Sequence, residues 1–166
     1  LDKKYIDPNV RLNLSYAMGK GSYFWMMYNY NVSYQSAAQL LDIVDISNPL
    51  HTSVGNPDLR PTGNHGVNLS YRSYNFQTRS GYSLNGNINF MNNSIVNAVD
   101  YDEDRKSIST YKNVSGAYNW SLYGSWYRSE KWEALTMRYG INLRYNQNVN
   151  KGYIDGVTYD ATTNGI

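Results

Sequence analysis

Apolar and polar residues alternate along this chain with a period of two, and six stretches carry the pattern. The first sets Val10, Leu12, Leu14, Tyr16 and Met18 against Arg11, Asn13, Ser15 and Ala17. The second sets Phe24, Met26, Tyr28, Tyr30, Val32 and Tyr34 against Asn29, Asn31, Ser33 and Gln35, after a less polar start at Tyr23, Trp25 and Met27. The third is shorter, with Val67, Leu69 and Tyr71 opposite Asn68, Ser70 and Arg72. In the fourth and cleanest, Tyr82, Leu84, Gly86, Ile88 and Phe90 alternate with Ser83, Asn85, Asn87 and Asn89. The fifth runs from Val114 to Trp126, and the sixth sets Met137, Tyr139, Ile141, Leu143 and Tyr145 against Arg138, Gly140, Asn142, Arg144 and Asn146. Successive side chains of a strand point to opposite faces, so each stretch predicts a two-faced strand. The predicted spans are 8–19, 22–35, 64–76, 80–97, 108–127 and 132–150. Apolar stretches of about nine to eleven residues or more match a tilted strand crossing a bilayer. The usual globular strand has about five or six. Only the segment 37–42 suggests a helix, of one turn or two.

The connections alternate as well. Short turns are predicted at Gly19-Lys20-Gly21, 77–81 and 128–131. Longer outer loops are predicted at 36–63 and, partly acidic, at 98–107. The tail 151–166 begins a further polar loop, with Asp155-Gly156 as a tight turn inside it. Short turns at one end and long loops at the other are the wiring of a membrane barrel. The predicted fold class is therefore all-β: an antiparallel up-and-down meander of about six long strands, forming a single segment, 1–166, of a transmembrane β-barrel wall. Such a wall has two open edges. In isolation it should pair with another copy, pack against a partner or aggregate.

Composition narrows the choice between this wall and a soluble β-sandwich, which also alternates. Charged residues make up 17% of the chain, against about 25% in soluble domains. Mean hydropathy is nevertheless −0.63, because Asn and Ser replace the missing charge. The polar faces hold Asn, Ser, Gly and Arg with almost no Lys or Glu, unlike a soluble surface. Tyr occurs 18 times. Tyr16, Phe24, Tyr34, Tyr82, Phe90, Trp126 and Tyr145 sit near strand ends, where interfacial girdles belong. Tyr118 and Trp120 lie mid-strand, outside that argument. A net charge of +2 gives no case for nucleic acid. The absence of cysteine excludes disulfides. No run reaches the length of a transmembrane helix. The opening Leu1-Asp2-Lys3-Lys4-Tyr5 is no signal peptide and reads as the interior of a longer protein.

Five segments carry a resemblance. Gly55-Asn56-Pro57-Asp58-Leu59-Arg60-Pro61 precedes the third strand, after Gln39-Leu40-Leu41 and Asp45-Ile46-Ser47-Asn48-Pro49. Ile95-Val96 stands at the end of the fourth strand, and Tyr111-Lys112-Asn113 opens the fifth. Together these resemble the barrel of TonB-dependent outer-membrane receptors, in particular the Bacteroidetes-type outer-membrane β-barrel family, as a C-terminal-half fragment. Thr62 departs from that pattern, which commonly has Glu there. The resemblance implies a barrel of about twenty-two strands with a plug domain in its lumen. It also implies location in a Gram-negative cell outer membrane. The implied function is energy-coupled uptake of a scarce nutrient such as a chelated metal, vitamin, glycan or peptide. Implied partners are outer-membrane lipid, the rest of the barrel with its plug, and indirectly the TonB system. Apart from the resemblance, Gly55, Asn56, Pro57, Leu59 and Pro61 read as a loop brace. Pro57 and Pro61 fix two φ angles, and Asn56 and Arg60 before them are pushed to extended conformations.

Catalytic chemistry is not legible. No glycine-flanked serine elbow, phosphate-cradling loop or zinc spacing is present, so neither an enzyme nor a cofactor is expected. His51 and His65 read as exposed loop residues, and Asp100, Asp102, Glu103 and Asp104 as a solvated loop tip. The Asn-x-Ser triplets follow from alternation and carry no modification. Arg72, Arg138, Arg144, Asn87 and Asn142 project from polar faces as candidate lumen or ligand contacts. The competing readings of function are a soluble carbohydrate-binding β-sandwich and an outer-membrane adhesin barrel.

Overall fold

A computed structural model of the chain describes residues 4–6, 8–19, 21–48 and 50–166, without the side chains of 45–47. Lys20 of the first predicted turn, Pro49, and residues 1–3 of the opening lie outside the described residues. The elements in chain order are β1 (Val10–Gly19), β2 (Ser22–Ser33), α1 (Ala37–Leu40), β3 (Asp45–Asn48), β4 (His51–Ser53), β5 (Thr62–Asn75), β6 (Ser80–Asn92), β7 (Ser94–Tyr101), β8 (Ser107–Val114), β9 (Ala117–Trp132), β10 (Leu135–Ile154) and β11 (Val157–Gly165). The wall runs β1-β2-β5-β6-β9-β10-β11, every neighbour antiparallel. A twelve-residue strand such as β2 is about 40 Å long, and about 30 Å tall at a barrel tilt of about 40°.

The structure corrects the sequence reading in five places, the first being the outer loop 36–63, which holds the short strands β3 and β4 and ends where β5 begins at Thr62. The tail 151–166 is not a loop: β10 continues to Ile154 and β11 adds a seventh wall strand. The expected tight turn does form there, with Asp155 at φ 48 and Gly156 at φ 80, the mirror-image turn that suits a two-residue hairpin. The turn expected at 128–131 is strand, and the chain reverses at Glu133-Ala134 instead. The loop expected at 98–107 is mostly a hairpin of β7 and β8, leaving 102–106 as the turn. Finally, the fourth and fifth predicted strands each break in two, at Asn93 and at Ser115-Gly116.

Within the wall strands the predicted faces survive. Residues Tyr16, Phe24, Tyr71, Leu84, Gly124 and Leu143 form one continuous row across the wall, and Leu14, Met26, Leu69, Gly86, Leu122 and Tyr145 the next. This apolar face has no second layer over it. Leu12, Leu14, Leu84, Trp126, Ile141 and Leu143 are all exposed. The described chain forms a single sheet, so a two-sheet sandwich is not its architecture. Its buried apolar residues are only Leu59, Ala98, Ala117 and Val149.

At the long-loop end, the β6–β9 hairpin continues as β7–β8 in unbroken register. Met91 faces Ala117 below the break and Ser94 faces Val114 above it. Positive φ angles at Asn93 (54) and Gly116 (96) re-aim the two strands together. The hairpin turns over, and β7 lies parallel to the end of β10 through Tyr153–Ala98 and Ile154–Val99. β8 is then free on its other side to take β4 in parallel, with β3 beyond. The result is a small leaf of sheet above the wall.

Candidate functional site

The second face of the wall is built from short polar side chains that bond to one another. Asn87 Nδ2 donates to Asn68 Oδ1 at 2.6 Å. Asn89 Nδ2 donates to Asn87 Oδ1 at 2.6 Å and to Asn119 Oδ1 at 2.9 Å. Ser70 Oγ donates to Asn85 Oδ1 at 2.9 Å, and Ser83 and Ser125 share a hydroxyl contact at 2.8 Å. Facing Asn and Ser pairs arise because antiparallel register brings polar positions opposite each other. Neutral amides and hydroxyls satisfy one another without the desolvation cost of a buried charge. They retain further donors and acceptors on that face.

The five predicted contacts all lie on this face, but the structure does not gather them. Asn87 sits mid-wall in the amide ladder. Asn142 Oδ1 accepts from the Tyr123 hydroxyl at 2.9 Å. Arg72 places its guanidinium over the Tyr23 ring, 5.1 Å from the centroid. Arg138 lies 5.7 Å from the Tyr127 centroid and donates from Nε to Ser129 Oγ at 3.1 Å. Arg144 stands exposed opposite Tyr123 in the register. Arg72 is three strands from the other two arginines, about 14 Å at about 4.8 Å per strand. Three separate cations spread along a wall do not form one anion clamp.

Sequence reasoning missed the aromatic shelf at the short-turn end of the same face. Tyr74 and Tyr127 stack at 6.2 Å across Gly81. A Cβ on Gly81 would lie 2.8 Å from the Tyr127 ring, so the glycine is what lets the ring lie flat. Together with Tyr23 and Arg72, these tyrosines line a hollow of about 650 Å³. The available signal was a glycine in a polar register position facing a tyrosine.

The loop brace closes onto the leaf above the wall. Asn56 Nδ2 donates to the Tyr111 carbonyl at 2.8 Å, and its backbone N–H to the Gln39 carbonyl at 2.7 Å. Asn113 is the matching clamp. Its Oδ1 accepts from Arg60 N–H at 2.7 Å, and its Nδ2 donates to the carbonyls of Arg60 and Asn93 at 2.9 and 2.8 Å. Thr62 Oγ1 also donates to the Asn93 carbonyl, at 3.0 Å. Leu59 is 2% exposed, the only large side chain so fully buried among the described residues. Gly55 is pressed against the Leu41 carbonyl, and Pro57 and Pro61 flank the buried leucine in sequence. The α1 turn beneath is held by a capping box between Ser36 and Gln39.

Both histidines are in strands, not loops. His51 in β4 contacts Ser107 Oγ through Nδ1 at 2.7 Å. His65 in β5 lies on the apolar face, stacked on Phe90 at 4.3 Å and bonded to the Tyr28 hydroxyl at 2.9 Å. The acidic residues are engaged in local structure. Asp102 caps its own turn through Lys106 N–H at 2.8 Å, Asp104 pairs with Lys106 at 3.1 Å, and Asp100 pairs with Lys112 at 3.6 Å. Contact with Tyr153, and then the charge of Asp100, hold Lys112 above the ordinary lysine range, so it stays charged at neutral pH. Among the described residues no group of acids and histidines could hold a metal ion.

Residues 2–165 match the family model described as outer membrane protein beta-barrel family. No curated protein and no solved structure matches the chain.

Proposed function

This chain belongs to the outer membrane protein beta-barrel family, and from that premise we propose that it is part of the wall of an energy-coupled, TonB-dependent uptake receptor in the outer membrane. One observation carries the reading. Across the six wall strands β1, β2, β5, β6, β9 and β10 one face is apolar and uncovered, while the other carries, from β5 to β9, a lattice of bonded amides and hydroxyls. That is the division needed between lipid and a wet lumen. The wall's edge strands, β1 and β11, each have one neighbour among the described residues. In a bilayer every strand must be paired within a closed barrel. Further strands of the same barrel, or a second copy, supply that pairing. A lumen wider than seven strands enclose is large enough for a nutrient and a plug. The contact between Gly55–Pro61 and Tyr111–Asn113 supports the receptor resemblance, because two segments that carry it are physically one brace. The short-turn end is then periplasmic, and the braced leaf faces outside.

The test is uptake. Cells with and without the intact protein are compared on chelated metals, vitamins, glycans and peptides, before and after collapse of the proton-motive force. The expected result is one solute class whose uptake needs both the protein and the force. Protein-dependent uptake that survives the collapse contradicts energy coupling.

A further inference from the structure

Two glycines on the apolar face have no steric reason to be glycine. A Cβ built on Gly124 meets only Leu84 Cδ1, at 3.8 Å. One on Gly86 meets Leu69 at 3.8 and 3.9 Å and Leu122 at 4.0 Å, ordinary contacts throughout. Neither has a positive φ. They contrast with Gly81, where an added Cβ would strike a ring. Glycine inside a strand destabilises it relative to alanine. It commonly marks a place where something else approaches closely. Gly86 and Gly124 occupy adjacent rows on neighbouring strands. Around Gly124 it is a groove of about 600 Å³ whose sides include Tyr82, Leu84, Trp126, Ile141 and Leu143.

The surroundings select the occupant. The groove opens on the uncovered apolar face, so it continues the surface that meets hydrocarbon. Four residues toward the short-turn end, Arg128 lies on the same face as Trp126 and Tyr82, next to Ser80 in the register. Its Nε pairs with Glu130 at 3.1 Å, yet its side chain stays 45% exposed. Ser80 shares a hydroxyl contact with Thr78 at 2.7 Å. Four residues span about 13 Å of strand, within half the bilayer's hydrocarbon thickness of about 30 Å. A cation with hydroxyls sits one acyl-chain length from an apolar hollow.

We propose that this groove is a binding site for a single phospholipid of the periplasmic leaflet. One acyl chain lies over Gly124 and toward Gly86, and the phosphate stands at Arg128. The proposal rests on the outer-membrane reading above, which sets this face in lipid and this end at the periplasm. An anionic headgroup is favoured because Arg128 is the cation at that level of the groove's edge.

The test uses the intact protein carrying this chain, delipidated in detergent and offered phosphatidylglycerol or phosphatidylcholine. Bound lipid is counted by native mass spectrometry. One phosphatidylglycerol per protein is expected to remain on the native sequence. Gly124→Leu fills the groove and should lower occupancy about tenfold, the contact of one or two methylenes. Leu143→Trp narrows it from an exposed position and should do the same should Gly124→Leu fail to fold. Arg128→Gln should remove the preference for phosphatidylglycerol over phosphatidylcholine. Equal lipid retention by the native protein, Gly124→Leu and Leu143→Trp overturns the site. So does a melting temperature that falls equally with and without lipid while retention is unchanged, the signature of glycines kept for sheet curvature alone. Failure of the membrane reading shows separately, as tryptophan fluorescence that brominated lipid does not quench.

Discussion

Leu59 shows how much one side chain can hold when a protein has almost no interior. The wall offers no core, so the brace supplies its own: Leu59 buried, Asn56 and Asn113 tying the backbone on either side. Leu59→Ala should cost about 2–4 kcal/mol locally, since a buried leucine leaves a cavity. Limited proteolysis should then cut within 36–61 while the wall strands stay protected. Unchanged protection of 36–61 would contradict the brace. The brace was legible as a stiff Pro-rich segment, because proline acts through its own φ. Its partner was not. Asn113 lies far away in sequence, and Tyr111-Lys112-Asn113, though part of the resemblance, carries no sign of a contact with the brace. Tyr127 is the last residue of the fifth predicted strand, and its place over Gly81 depends on cross-strand register.

The elements that alternate were legible at once, since period two places each side chain without reference to anything else. What hid was the break within the β6–β9 hairpin. The polar run Asn92-Asn93-Ser94 reads as strand and the pairing register continues across the break, so strand identity persists while direction does not. Only Asn93 and Gly116, which reach positive φ, mark it. The hinge has a consequence at element scale. Gly116→Val should strain the turn-over at φ 96 and release β7 from β10. Hydrogen exchange should then rise together in 94–101 and 153–156, because Asp155 N–H is bonded to the Val99 carbonyl at 2.9 Å. A change confined to the neighbours of residue 116 would mean the leaf is held without the hinge. The seventh strand was missed because Thr158, Asp160, Thr162 and Asn164 alternate with Val157, Tyr159, Ala161 and Thr163 too weakly to register as apolar.

At the scale of the whole molecule the wall is two faces of opposite chemistry. One is apolar and uncovered, pitted at Gly86 and Gly124; the other is a bonded polar lattice with arginines spaced along it. The chain contains no cysteine, so single cysteines can be placed one at a time along β6 in the intact protein in its membrane. The decisive measurement is labelling of positions 83–90 by a charged, membrane-impermeant thiol reagent. The wall predicts strong labelling at Ser83, Asn85, Asn87 and Asn89, and protection at Leu84, Gly86, Ile88 and Phe90. Uniform labelling, or labelling of the apolar set, would contradict it.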